Sequence, residues 1–246
     1  TGTTANVTMV RPCKIVIPPV ALKGQMKPLT LSAPKSLVQS VKPIDSTATL
    51  SGASTCANFN AQPITLALGA NLMNPGSDML PKFTQGGVPT INFCGMSVAT
   101  SCATATHPMA PTDFACVCDQ DADGKPGATL GAMNVPGLAD LDAVYVDLRT
   151  SVTLSGQVFP AAAGQANPGQ RIKGKVAGLA LDTSVLGCHH SAPAADCSDS
   201  DTATAAALNP AVTQSVNGDS TFVAVPLTAA DTCDTLVANE ATLFPQ

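Results

Sequence analysis

The chain has 246 residues, of which 45% are hydrophobic and 12% charged, with a formal net charge of −5. Apolar content this high with so little charge excludes an intrinsically disordered chain. An acidic chain with seven Phe, one Tyr and no Trp also lacks the basic face and stacking rings of a nucleic-acid binder.

Sixteen of the 17 acids are Asp, and 20 Pro and 19 Gly punctuate the chain, so the expectation is short strands joined by turns. Residues 1–45 read as extended, with β pieces at Cys13–Ile17 and Pro28–Ser32. Residues 46–112 alternate strand-like runs (Thr47–Ser51, Ile64–Leu68, Thr90–Cys94) with turns such as NPGSD and QGG. The clearest alternation follows at Ala143–Arg149, Ser151–Phe159 and Gln170–Leu181, with a bulge expected near Gly174. Residues 187–220 read as a polar connection, Ser220–Leu227 as a strand, and Thr232–Phe244 has the spacing of a short terminal helix.

The fold class that results is all-β. It is an antiparallel sandwich or barrel with long Pro/Gly/Ala-rich loops, tied by disulfides and ending in a short C-terminal helix. One β-rich domain over residues 1–246 is the reading, and two β regions, 1–112 and 113–246, are the alternative.

Nine cysteines occur, with no CxxC and no zinc-finger spacing. They read as disulfides of an oxidising compartment, hence a secreted, periplasmic or outer-surface location. Cys94 with Cys102 and Cys188 with Cys197 are the expected local bridges. The odd number leaves one thiol over, with Cys13 and one of Cys116 and Cys118 as candidates. No run of 18 apolar residues exists, so no transmembrane helix is expected. The chain opens at Thr1 with no leader-like segment, so a signal peptide would already have been removed.

Charge is segregated. The first 45 residues hold six basic side chains and one acid, whereas from Val176 onward there are eight acids and no Lys or Arg. Either the ends attract head to tail in an assembly, or they form two opposite surfaces of one domain that lie near each other. The second reading is the simpler.

The segment ACVCDQDADGKPGATLG, from Ala115 to Gly131, carries the sharpest chemical signal. Asp119, Asp121, Asp123 and Gly124 make D-x-D-x-D-G, which in a curled loop aims three carboxylates at one point, as a hard cation requires. The carbonyl of Lys125 would be a fourth ligand. Position twelve holds Leu130 where a sensor loop needs a bidentate Glu, so the missing oxygen would come from Asp140, Asp142 or water. A structural Ca²⁺ is the expectation. A solvated acidic turn is the bland alternative, and mutual repulsion of three carboxylates counts against it. Cys116 and Cys118 would either ligate a soft metal or each bond a distant cysteine and tether the loop; the tether is favoured.

Three further stretches are weaker. Cys188, His189 and His190 could bind copper or zinc with His107 or a Met, but surface histidines beside a disulfide are favoured. Residues 196–201, DCSDSD, read as an exposed turn or a second cation site. Ser32 and Lys35 match S-x-x-K, though Pro34 disfavours the helix that motif needs.

The loop itself resembles those of EF-hands, dockerins and thrombospondin type 3 repeats. CDQDADGKPGATL and TCDTLVANEATLF together resemble uncharacterised secreted proteins and lipoproteins of Gram-negative bacteria. That resemblance implies export and a β-rich C-terminal half, and it implies no activity. The function expected is therefore a secreted or cell-surface structural or assembly protein, held by disulfides and calcium, with itself or other surface proteins as partners. The alternatives are a β-barrel that binds an apolar ligand such as a lipid and, third, a metal-dependent or hydrolytic enzyme.

Overall fold

The computed structural model describes residues 3–10, 12–52, 57–82, 93–94, 100–104, 115–160, 171–208, 220–225, 228 and 230–243. Its spine is one long antiparallel hairpin, β9 (Leu141–Phe159) with β10 (Arg171–Ser191), of 19 and 21 residues. At about 3.3 Å per residue each arm reaches roughly 60 Å. The runs expected as separate strands at Ala143–Arg149 and Ser151–Phe159 are a single element. The polar Thr150–Ser151 step does not break β9, because both residues pair with Leu66 and Thr65 of β5 (Ile64–Leu68).

Shorter strands tile the outer edges of this spine. Along β9 lie β8 (Ala128–Met133), then β5, then β4 (Asn58–Ala61). Beyond β4 come β3 (Ile44–Ser51) and β1 (Thr3–Val10), while β2 (Thr30–Ser32) pairs β8. Along β10 lie β11 (Ala194–Asp196) and β12 (Thr221–Ala224). Among the described residues these ten strands form one sheet that does not close, so the barrel alternative is replaced by an open sheet. A separate ribbon joins β6 (Ala70–Leu72) to β7 (Ala115–Val117).

Alternation along β9 divides the lower half of the molecule into layers. Val144 and Val146 face the main core together with Leu68, Leu130, Leu37 of α1 (Lys35–Ser40) and Ala205 of α2 (Asp199–Ala207). Tyr145 faces the other way and packs with Leu186 and with Val117 of the ribbon. In the upper half a cross-strand row reads Leu50, Phe59, Gly156, Gly174, Phe222. A Cβ on Gly174 would collide with the Ser155 carbonyl oxygen, so the two arms cross at a distance only glycine permits. The Phe59 and Phe222 rings, 6.1 Å apart, cover this bare stretch of backbone. The register shift falls between Val176 and Gly178, just beyond the bulge expected near Gly174.

Several expectations need correction. Cys13–Ile17 is not a strand; with prolines at 18 and 19 it runs as an extended segment over the core. Residues 187–220 are not merely a connection, since β10 continues through Ser191 and α2 follows. Thr90–Cys94 lies outside the described residues except Phe93, which bridges Val117, and Cys94. The C-terminal helical expectation holds as α3 (Cys233–Ala238) and α4 (Glu240–Leu243). Among the described residues no helix is long and apolar enough to cross a membrane.

Four disulfides form: Cys13–Cys233, Cys94–Cys116, Cys102–Cys118 and Cys188–Cys197. The Cys188–Cys197 expectation holds, and the Cys94–Cys102 expectation is wrong. Each of those two instead bonds one member of the 116/118 pair, which tethers the Asp loop as anticipated. Cys13, Cys116 and Cys118 are therefore not the leftover thiol; the ninth cysteine is Cys56, which lies outside the described residues.

Candidate metal centre

The Asp-rich loop joins the ribbon to the main sheet. Its neck is closed by paired backbone bonds, the Gly127 N–H to the Cys118 carbonyl at 3.0 Å and the Gln120 N–H to the Gly127 carbonyl at 2.9 Å. Gly127 has φ +82°, and a Cβ there would sit 2.6 Å from the Val146 carbonyl, so glycine lets the neck rest directly on β9. The loop thus launches β8, which then pairs β9.

Inside the loop, Asp119 is only 3% exposed and acts as its hub. Its Oδ1 accepts the N–H groups of Ala122 at 2.7 Å and Asp123 at 3.3 Å, and its Oδ2 accepts that of Gly124 at 2.8 Å. Asp123 accepts the Lys125 N–H at 2.8 Å and the Thr129 hydroxyl at 2.5 Å. Asp121 accepts the Thr129 N–H at 3.4 Å. One ligand oxygen from each of Asp119, Asp121 and Asp123 lies within 4.8 Å of the others.

These bonds orient the carboxylates without consuming them. An ionised carboxylate offers about four lone-pair directions, and the loop's own donors fill roughly half of the set. What remains is a converging group of hard oxygens, suited to a hard cation and not to a soft metal. Burial, followed by the Asp123 charge, pushes the Asp121 carboxyl up to about 6, the electrostatic mark of crowded acids that a cation would relieve.

Lys125 serves the loop in a second way. Its Nζ lies 2.7 Å from both carboxylate oxygens of Asp196, and the Tyr145 hydroxyl donates to Asp196 Oδ1 at 2.7 Å. The hydrogen bond from Lys125 is the main cause that holds the Asp196 carboxyl below its ordinary value. Burial, then the bond to Asp196, raises the Tyr145 hydroxyl. The loop is thereby fastened to β9 and to β11, beside the Cys188–Cys197 bridge.

Among the described residues the other candidates do not assemble into a centre. Cys188 is disulfide-bonded, and its neighbours engage separate partners. His189 Nδ1 lies 2.8 Å from Asp142, and His190 Nδ1 lies 3.1 Å from the Ala139 carbonyl. Asp142 is thus engaged away from the loop, and neither it nor Asp140 joins the three clustered carboxylates. His107 lies outside the described residues. The DCSDSD stretch is a helix start: Ser198 caps α2 by accepting the Asp201 N–H, with Asp199 and Asp201 in the first turn. Ser32 ends β2 while Lys35 opens α1, so the S-x-x-K pair straddles two elements.

Sequence reasoning missed Asp147. It is fully buried on β9, neither side-chain oxygen has a hydrogen-bond partner among the described residues, and burial raises its carboxyl well above the ordinary range. The signal was present: an acid in the apolar run AVYVDLR, on the same strand face as Tyr145. Comparison of the chain with protein-family models, with curated proteins and with solved structures returns no match.

Proposed function

We propose that this is an exported structural or assembly protein of a cell surface or secreted matrix, whose Asp loop holds a structural Ca²⁺. Asp119, Asp121, Asp123 and the Lys125 carbonyl supply the protein ligands, and water completes the shell. The observation that carries this reading is the convergence of three carboxylates in a loop whose backbone donors hold them in place. Four disulfides support an oxidising compartment. The resemblance to secreted proteins and lipoproteins of Gram-negative bacteria agrees with that placement.

The ion's work in this reading is mechanical. It joins the ribbon side of the loop, fixed by Cys94–Cys116 and Cys102–Cys118, to the β8 side, which pairs with the spine. Calcium at a hundredfold excess over Kd adds about 2.7 kcal/mol of stability, or a rise of roughly 5–11 °C in Tm for a chain this size. Calorimetric melts with EDTA, Ca²⁺ and Mg²⁺, with the disulfides kept intact, test this. Chelation should lower Tm, Ca²⁺ should restore it, and Asp121→Asn should abolish the response. If neither chelation nor added Ca²⁺ moves Tm in the unaltered protein, the loop is an acidic turn and the proposal fails.

A further inference from the structure

The main core is not closed. Between the spine and its cover lies a cavity of about 240 Å³. Protein interiors seldom leave voids larger than a water molecule, and even an aliphatic cavity of about 150 Å³ stays dry and takes up benzene. We infer that this cavity is a binding site for one unbranched alkyl chain, with the ligand's polar end left at the solvent. This inference does not rest on the cation reading: none of the three clustered carboxylates lines the cavity, and the loop motif contributes only Leu130, on β8, to its wall.

Shape selects a linear chain. The floor follows β9 through Val144, Val146, Leu148 and Thr150, a reach of roughly 20 Å at strand spacing. Val144 and Val146 are buried, whereas Leu148 and Thr150 are half-buried, so the slot is sealed at one end and opens toward the other. The wall's polar side chains, Thr150 and Thr183, both stand at the open end. Among the described residues no charged and no aromatic side chain lines the slot, so they offer neither an ion pair for a buried head group nor a face for a ring. An aliphatic slot of this kind gains from burying methylene groups and from little else.

The walls are also braced against collapse. Ile15 and Ile17 form one side just after Cys13, which is bonded to Cys233. Ala205 of α2 forms another, and α2 begins just after Cys197, which is bonded to Cys188. Both covers are stapled to other parts of the chain and cannot freely close the space. Val16, which also lines the slot, is 70% exposed, so the slot reaches solvent there.

The probe is ¹³C-labelled dodecanoate below its critical micelle concentration, titrated into the disulfide-intact protein. One site per chain is expected by heteronuclear NMR, with a rise in Tm on saturation. Leu148→Trp, which fills the slot, should weaken binding at least tenfold, and Val223→Trp, on β12 outside it, should leave binding unchanged. Should Leu148→Trp fail to fold, photocrosslinking of the unaltered protein with a diazirine-bearing dodecanoate replaces it, and the adduct should map to slot residues such as Val146 or Leu148. No saturable binding, binding that survives Leu148→Trp in a folded protein, or adducts mapping elsewhere would each overturn the inference.

Discussion

Replacing Asp147 with asparagine and, separately, with valine isolates the cost of its buried carboxyl. Ordinary Asp titrates near 3.8, and burial holds this one well above that value in the folded protein. Between the unfolded and folded values, the folded state carries a proton that the unfolded state has released. Stability therefore falls as pH rises through that window, by up to about 1.4 kcal/mol per pH unit. A carboxamide at this position cannot titrate, so the difference between Asp147→Asn and the unaltered protein should start near zero around pH 4 and grow with pH in favour of the variant. Valine also removes the unpartnered polar group from a strand, where a β-branched side chain fits. Relief of such a group is worth about 1–3 kcal/mol, or roughly 2–12 °C in Tm for a chain of this length. Urea unfolding followed by circular dichroism at half-unit steps from pH 4 to 8 reads both effects. A difference between Asp147→Asn and the unaltered protein that does not change with pH would refute the reasoning, as would a folded valine variant less stable than its parent.

Two other perturbations test the loop and its tethers. Asp119→Ala strips the acceptor from three backbone donors in a loop sealed at its neck, and should cost at least about 2 kcal/mol even without added cation, measured by the same urea midpoints. The Cys13–Cys233 and Cys188–Cys197 bridges close sequence separations of 220 and 9 residues. Loop entropy then ranks their removal by paired Cys→Ser substitutions at about 5 and about 3 kcal/mol. The reverse order in calorimetry would show that strain or residual unfolded structure governs instead.

The parts of the fold legible in the sequence were those written as period-2 alternation. Val144, Val146 and Leu148 against Tyr145, Asp147 and Arg149 state the two faces of β9 outright, and Ile64–Leu68 is a strand with the expected bounds. The length of the spine was not legible, because Thr150 and Ser151 are held in β9 by pairing with Leu66 and Thr65, far upstream in the chain. Tertiary contacts also hid the cysteine pairing: Cys94 and Cys102 are near each other in sequence, yet each bonds a member of the 116/118 pair, 22 and 16 residues further on. Helix α2 had a readable signal, a serine cap followed by two acids and an alanine run, which the polar composition of the whole stretch masks. The Asp loop was legible as a cluster of carboxylates. Its hub was not, since only the folded loop shows Asp119 gathering three N–H groups.

The opposite charges of the two ends find a use within the chain. Lys14 lies 2.8 Å from Glu240 and Lys35 lies 2.9 Å from Asp234, so basic and acidic segments meet in one molecule beside the Cys13–Cys233 bridge. At least this part of the polarity is spent in cis, which removes it as a motive for head-to-tail assembly. Both pairs are exposed, and exposed pairs contribute at most about 1 kcal/mol each. The disulfide, with the longer loop to restrain, holds the ends together, and the charges bias which surfaces approach. That matters for the cavity, because Ile15 and Ile17 sit between Cys13 and the prolines at 18 and 19. The covalent tie that unites the ends of the chain also positions a wall of the apolar slot.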